Sequence, residues 1–260
     1  MIRAKEILIN FKLMQLLSNQ HVNIDGVYVD SAHVFLTKIN EPDSLRDLNM
    51  NVFIANVNAG YAGSGSGGGK SPRINIGEAF VNNSQFTYID QDRDSIRTGF
   101  DYQHFSLRVD EGQLNSFVIL GDTTEFNLQT LIAQDLQTKF SVNQISTFFR
   151  VCQKSMEFVG LNLHAGKSTV SDTVIFKYEK LLDLNDIVDR VTIHANLSNT
   201  FIDPNDLALF APGIEKVGQS FMLNGVYDGR VNKFKFRDMK IDIGKSHLAG
   251  SIDMDGLPNI

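Results

Sequence analysis

Hydrophobic and polar residues alternate along most of the chain, as they do in strands that bury one face of a sheet. The segment HVNIDGVYVDSAHVFLTKI, which starts at His21, contains two such runs separated by a small polar kink, and a polar turn follows it. INIGEAFVNNSQFTYIDQDRDS from Ile74 and MEFVGLNLHAGKSTVSDTVIFKY from Met156 repeat the order of strand, glycine, kink, strand and turn. The pattern predicts a mainly β protein whose successive strands pair antiparallel.

The apolar residues change parity once within the segment 234–243. Up to Phe236 they fall on even positions, and beyond Asp238 they fall on odd ones. A strand that gains one residue at a β-bulge keeps both sets on the same face of the sheet. We therefore predict a bulge at Arg237-Asp238.

Helices are predicted to be few and short. In the segment from Asp203 to Pro212, Asp203 is a good N-cap, Pro204 suits the first helical position, and Pro212 ends the helix within two turns. Weaker helical patterns cover Leu182 to Arg190 and Gln144 to Arg150.

One glycine-rich run, AGSGSGGGKSPR at 62–73, ends in the Lys-Ser pair of a phosphate-binding loop. The position that should hold the first glycine of that motif is Ser64, and a β pattern follows where the motif needs a helix. The tripeptide Gly-Lys-Ser recurs at 166–168 and 244–246, each time between alternating apolar runs. We therefore expect hairpin turns at those two sites, a flexible loop at 60–72, and no nucleotide ligand.

Composition narrows the possible partners and chemistry. Thirty acidic and 24 basic residues give a net charge of −6 without a basic cluster, which argues against nucleic acid as a partner. The single cysteine excludes an internal disulfide, the six histidines show no metal-ligand spacing, and the acidic run Asp90 to Asp94 lacks the final glutamate of a calcium loop. We expect a non-enzymatic protein without a metal or cofactor. The alternative to a non-enzymatic protein is a hydrolase with a glycosidase-like pair of carboxylates at a loop rim, because any two acidic residues could meet in the fold.

Many strands and few helices leave one apolar sheet face without a cover. Such a face must close on itself, meet a second sheet, or hold an apolar ligand. With ~15 strands spaced ~4.8 Å apart, the sheet would be roughly 70 Å long. Strand parity predicts that one concave surface is shared by Phe176, Val191, Ile193, Phe221, Leu223, Phe234, Phe236, Ile241, Ile243, Ile252 and Met254.

Five stretches of the chain resemble the AsmA-like family. They are KEILINFKL at 5–13, IDGVYVDSAHV at 24–34, TFIDPNDLALFAP at 200–212, GQSFMLNG at 218–225 and GSIDMDGLP at 250–258. The similarity extends over most of the chain as a pattern of structural repeats, and it includes no catalytic signature.

The resemblance implies one elongated β segment over residues 1–260, curled into a trough or taco-like antiparallel sheet with a few short helices. It implies the periplasmic part of an envelope protein anchored in the inner membrane, with the anchor and the C-terminal domain outside this chain. Phospholipid acyl chains would occupy the apolar groove during transfer between the inner and outer membranes. An outer-membrane assembly partner would bind through regions absent here and support protein assembly and secretion. The alternative is a structural or adhesive β-solenoid whose core is filled by its own side chains.

Overall fold

The alternating segments form strands of one large sheet in the computed structural model, which describes residues 2–10, 21–39, 47–48, 73–96, 98–210 and 213–256. The glycine-rich loop predicted at 60–72 and the helix stop predicted at Pro212 lie outside the described residues. The strands are β1 (Ile2–Arg3), β2 (Glu6–Asn10), β3 (His21–Asp30), β4 (His33–Ile39), β5 (Asp47–Leu48), β6 (Arg73–Asp90), β7 (His104–Leu120), β8 (Thr123–Asp135), β9 (Ser141–Val151), β10 (Ser155–Ala165), β11 (Ser168–Lys177), β12 (Thr192–Ile202), β13 (Phe221–Arg230), β14 (Lys233–Ile243) and β15 (Ser246–Asp255).

The helices of the described part are short and lie in two connections. A 3₁₀ helix (Leu181–Asp186) and α1 (Ile187–Arg190) join β11 to β12, as the pattern at 182–190 predicts. Helix α2 (Pro204–Leu207) and a second 3₁₀ helix (Ile214–Val217) join β12 to β13. The helix predicted at Gln144 to Arg150 is wrong, because that segment lies within β9 and its alternate residues pair across the sheet.

From β6 to β15 each strand pairs antiparallel with the next, so the predicted curled antiparallel sheet is confirmed, and the sheet remains unclosed. The exception is at one end, where β3 and β4 both pair parallel with the same side of β6. Strands β1, β2 and β5 then line the outer side of β3 and β4. Fifteen strands therefore occupy twelve rows, and eleven spacings of about 4.8 Å give roughly 53 Å instead of the predicted 70 Å.

A line of β-bulges crosses the sheet near the middle of its strands. The bulge predicted at Arg237-Asp238 is confirmed, because the register with β15 shifts between Phe236 and Met239, and Asp238 has φ 51°. Similar irregularities in the neighbouring strands place residues of positive φ beside it, namely Gly160, Asp172, Asn199 and Gly225. Bulges bend a strand and increase its twist, so this line, here called the crease, curls the sheet.

One face of the sheet is apolar and lies on the inside of the curl. Directly paired residues share a face, and in β6 to β15 every buried strand residue belongs to the same one. The opposite face of β14 carries Lys233, Lys235, Arg237, Lys240 and Asp242, all exposed. We call the buried side the concave face and the charged side the convex face.

Buried hydroxyl groups on the concave face bond to the backbone beside bulges. The Ser84 hydroxyl donates to the Asn82 carbonyl at 2.7 Å and accepts from the Ala32 amide at 3.1 Å. The Thr147 hydroxyl donates to the Val159 carbonyl at 3.1 Å. Because these hydroxyls are bonded, they leave the concave face without free polar groups at those points.

The predicted N-cap is present, and it yields a testable stability change. The Asp203 carboxylate accepts from the Asn205 amide at 3.0 Å, so Asp203→Ala should lower the free energy of unfolding by about 0.5–2 kcal/mol. That bond holds the pKa of Asp203 below its usual range. A lowered folded-state pKa stabilises the fold above the unfolded pKa, and the contribution is lost as the pH falls. Because the loss is complete only below the lowered folded-state pKa, urea unfolding should show a smaller difference between variant and wild type at pH 3 than at pH 7. A variant as stable as the wild type at both pH values would contradict the cap.

Candidate functional site

Two parallel rows of large side chains cross the concave face on one side of the crease. The first row follows direct strand pairing through Phe126, Phe149, Phe158, Val174, Ala195, Tyr227, Phe236 and Ile252. The second row lies two residues away and contains Met156, Phe176, Ile193, Gly229, Phe234 and Met254. Rings of neighbouring strands contact each other, with centroids 5.0 Å apart for Phe126 and Phe149 and 5.1 Å apart for Phe149 and Phe158. We call this half the aromatic wall.

The other side of the crease is lined mainly by aliphatic side chains. Paired residues in one row of β9 to β15 are Ile145, Leu163, Val170, Thr200, Leu223, Ile241 and Leu248. A further row holds Ile202, Phe221 and Ile243. We call this half the aliphatic wall, and the two walls together form an apolar trough that runs along the stack of strands.

The eleven residues predicted to share one surface fall into two groups. Ten lie in strands, and their registers place all ten on the concave face, divided between the two walls. Val191 lies one residue before β12 and is fully buried, with 0% of its surface exposed. Sequence reasoning missed Phe149 because its segment was predicted as a helix, although the alternation of Ile145, Thr147 and Phe149 could have revealed the strand.

The large side chains of the trough stay partly accessible. The largest side chains that are fully buried are Val191, Thr200 and Asp90, none of which is aromatic. The rings of Phe149, Phe158 and the rest of the aromatic wall are half-buried, except Phe236 at 7% exposure. A core closed by its own side chains would bury such rings completely, so the protein's own side chains leave part of this apolar surface uncovered.

Over strands β10 to β15, no charged side chain faces the space of the trough. Asp172 is the single ionisable acid in the concave register of those strands, and its φ of 92° directs its carboxylate to Thr173 and to the Asn196 side chain, 2.8 Å away. Burial raises the pKa of Tyr227 to about 12, and its hydroxyl donates to the Arg230 carbonyl at 3.0 Å. The phenol is therefore neutral and bonded at physiological pH.

The convex face has a different character. A depression of about 660 Å³ lies on that side near β13 to β15, bordered mainly by charged side chains. These charges pair with one another, Lys233 with Asp255 at 2.7 Å and Lys235 with Asp253 at 3.1 Å. Because exposed ion pairs of this kind are common on protein surfaces, the depression is weaker than the trough as a candidate site.

No family model, curated protein or solved structure matches this chain. In the described ranges, no group of three or more histidine, cysteine or acidic side chains is arranged to hold a metal ion. The same ranges contain no helix of the length and apolarity that a membrane crossing requires.

The Gly-Lys-Ser sequences at 166–168 and 244–246 are turns between antiparallel strands, as predicted. In the 166–168 turn, the groups that would bind the phosphate of a nucleotide bind a carboxylate of the protein. The Asp206 carboxylate accepts from the Lys167 amide at 2.7 Å and from the Ser168 hydroxyl at 2.8 Å. The Lys167 side chain is 79% exposed and lies 3.8 Å from Asp203.

These contacts predict opposite outcomes for two neighbouring substitutions. Lys167→Ala should change the free energy of unfolding by less than about 0.5 kcal/mol, since an exposed ion pair contributes little. Asp206→Ala should cost about 1–3 kcal/mol, because it removes the partner of both donors. Urea unfolding measures both, and a large loss from Lys167→Ala would contradict the assignment of this side chain to a solvated turn.

The melting temperature of the wild-type protein should not rise when ATP is added at millimolar concentration.

Proposed function

We propose that this chain holds phospholipid acyl chains in its apolar trough, as a non-enzymatic segment of an AsmA-like envelope protein similar to TamB. The observation that carries the proposal is the half-exposed apolar concave face, free of charge facing the trough over β10 to β15, that continues across the strands of an unclosed sheet. Water against such a face is unfavourable, and each methylene group of a bound acyl chain removed from water contributes about 0.8 kcal/mol.

The trough suits a ligand that is recognised by its apolar body. Its walls offer aromatic and aliphatic surface, while bonded hydroxyls and the redirected Asp172 carboxylate leave few polar groups inside. Such a surface accepts acyl chains in many positions along its length and leaves the polar headgroups at the wet rims. Movement of lipid along the trough then needs no exchange of specific hydrogen bonds.

The cellular setting follows from the sequence resemblance and belongs to the same proposal. The chain would be periplasmic, in a protein anchored in the inner membrane through a segment outside this chain. It would serve phospholipid transfer to the outer membrane and the assembly or secretion of outer-membrane proteins, with the outer-membrane partner bound by other regions. Neither a nucleotide nor a nucleic acid has a role in this proposal.

Lipid content of the purified protein tests the proposal. After mild purification, native mass spectrometry should detect phospholipid adducts, and organic extraction should release phospholipid in at least an equimolar amount. The control is the same extraction after the protein has been delipidated and refolded without lipid. Protein that retains its β signal and never carries lipid would support the self-filled solenoid.

A further inference from the structure

Three apolar side chains are exposed together at one rim of the trough. Ile96 and Tyr102, in the connection between β6 and β7, are each 47% exposed, and Phe210, in the connection between β12 and β13, is 39% exposed. Both connections leave the aliphatic-wall ends of their strands. We call Ile96, Tyr102 and Phe210 the rim patch.

The rings of the rim patch continue without a break into the concave face. Phe100 lies 5.1 Å from Tyr102 and 5.5 Å from Phe210, measured between ring centroids. Phe100 is in turn 5.6 Å from Phe105, whose ring is 6.0 Å from Phe86. Because Phe86 and Phe105 belong to the concave face of β6 and β7, an apolar path leads from the exposed rim into the trough.

The patch is held in place by contacts between several connections. The Phe100 amide donates to the Leu209 carbonyl at 2.8 Å, and the ring of Phe140 lies 5.5 Å from that of Phe210. The Ile96 amide donates to the Asp101 carboxylate at 2.9 Å. The exposed rings are therefore presented by a bonded framework that joins the β6–β7, β8–β9 and β12–β13 connections.

One carboxylate beside the patch is turned toward the protein. Asp101 accepts from the backbone amides of Ile96, Gln103 and His104, and it is 3% exposed. The exposed charges nearby have both signs, with Arg93 and Asp94 on the same loop as Ile96 and Lys139 in the adjacent β8–β9 turn. The local surface is thus apolar and aromatic with nearly balanced charge.

We propose that the rim patch docks on a phospholipid bilayer and admits acyl chains to the trough along the Phe100–Phe105–Phe86 path. Tyrosine and phenylalanine side chains partition to the membrane interface, where their apolar surface meets the acyl region. A patch of three side chains supports reversible contact, which suits loading and release. The docking surface is new, whereas the delivery of lipid through it rests on the proposed function.

The absence of tryptophan from the chain provides a specific probe. Tyr102→Trp places one tryptophan in the rim patch, and Leu181→Trp places one at a 50% exposed position of the opposite rim, in the connection between β11 and β12. Each full-length variant is mixed with vesicles of phosphatidylcholine brominated in its acyl chains, with and without phosphatidylglycerol. The fluorescence at position 102 should be quenched and blue-shifted, and that at position 181 should change little. With charge nearly balanced, phosphatidylglycerol should alter the vesicle affinity by less than about tenfold.

Additional changes separate docking from lipid carriage. Ile96→Ser in the Tyr102→Trp background should weaken vesicle affinity severalfold, while Leu181→Ser in that background should leave it unchanged. No quenching at position 102, or equal quenching at both positions, would overturn the docking proposal. If those proteins still yield phospholipid on extraction, the proposed function stands and the rim patch is left for a protein partner. Quenching at position 102 in protein that never yields lipid would support docking and contradict the trough as a carrier.

Discussion

Replacing Phe176 and Phe234 together with aspartate should remove most of the bound phospholipid while the sheet remains folded. Both side chains are half-buried and lie in the same row of the aromatic wall, in β11 and β14. In an open trough each carboxylate can reach water once lipid has left, so the fold avoids burying an unpaired charge. Acyl chains would then have to lie against two charges, which should lower lipid binding by roughly tenfold or more.

The measurement combines circular dichroism with lipid extraction from the same sample. The matched control is Ile175→Asp with Val226→Asp, since both residues are half-buried and lie on the convex face of β11 and β13. The control should retain lipid. Loss of the β signal in the first variant would indicate a closed core, and unchanged lipid content would show that these two phenylalanines do not line the binding surface.

Phe236 is less suitable for this test, although its parity places it on the same wall. It is 7% exposed, and its ring lies 2.9 Å from the position that a Cβ atom on Gly225 would take. A charge at Phe236 would disturb the packing over the crease as well as any ligand. Unfolding of a Phe236 variant would therefore not distinguish a filled core from an open trough.

The substitution Gly225→Ala should destabilise the protein by about 2–6 kcal/mol. Gly225 has φ 135°, and an added Cβ would lie 2.8 Å from the Arg237 carbonyl oxygen and 3.1 Å from the Met239 Cα. Backbone strain of this kind alone costs about 1–3 kcal/mol, and overpacking adds about 1–3 kcal/mol where backbone atoms must move.

A second glycine of the crease isolates the contribution of strain. Gly160 has φ 63°, and an added Cβ would meet no atom within 4 Å, so Gly160→Ala should cost only about 1–2 kcal/mol. Urea unfolding of both variants gives the comparison. Equal losses would mean that the close approach of β14 to Gly225 does not hold in solution.

Local pattern was sufficient for features that depend on a few neighbouring residues. The one-residue slip after Phe236 located a bulge, because parity must change when a strand gains a residue and keeps its apolar face. The Gly-Lys-Ser turns and the Asp203 cap were likewise predictable from glycine at positive φ and from a carboxylate before a proline. The shared face of the ten strand residues follows from the same period of two.

Features that depend on distant parts of the chain were not predictable in this way. The parallel pairing of β3 and β4 with β6 joins segments separated by residues 40–72, and no short pattern encodes the direction of a partner strand. The strand β9 was predicted in part as a helix, since short apolar runs fit both periods until the neighbours Phe126 and Phe158 supply the pairing. The rim patch arises where the β12–β13 connection meets the β6–β7 connection. Burial, exposure and such contacts are set by how the sheet curls, because curvature is the sum of many small bends along the whole stack of strands.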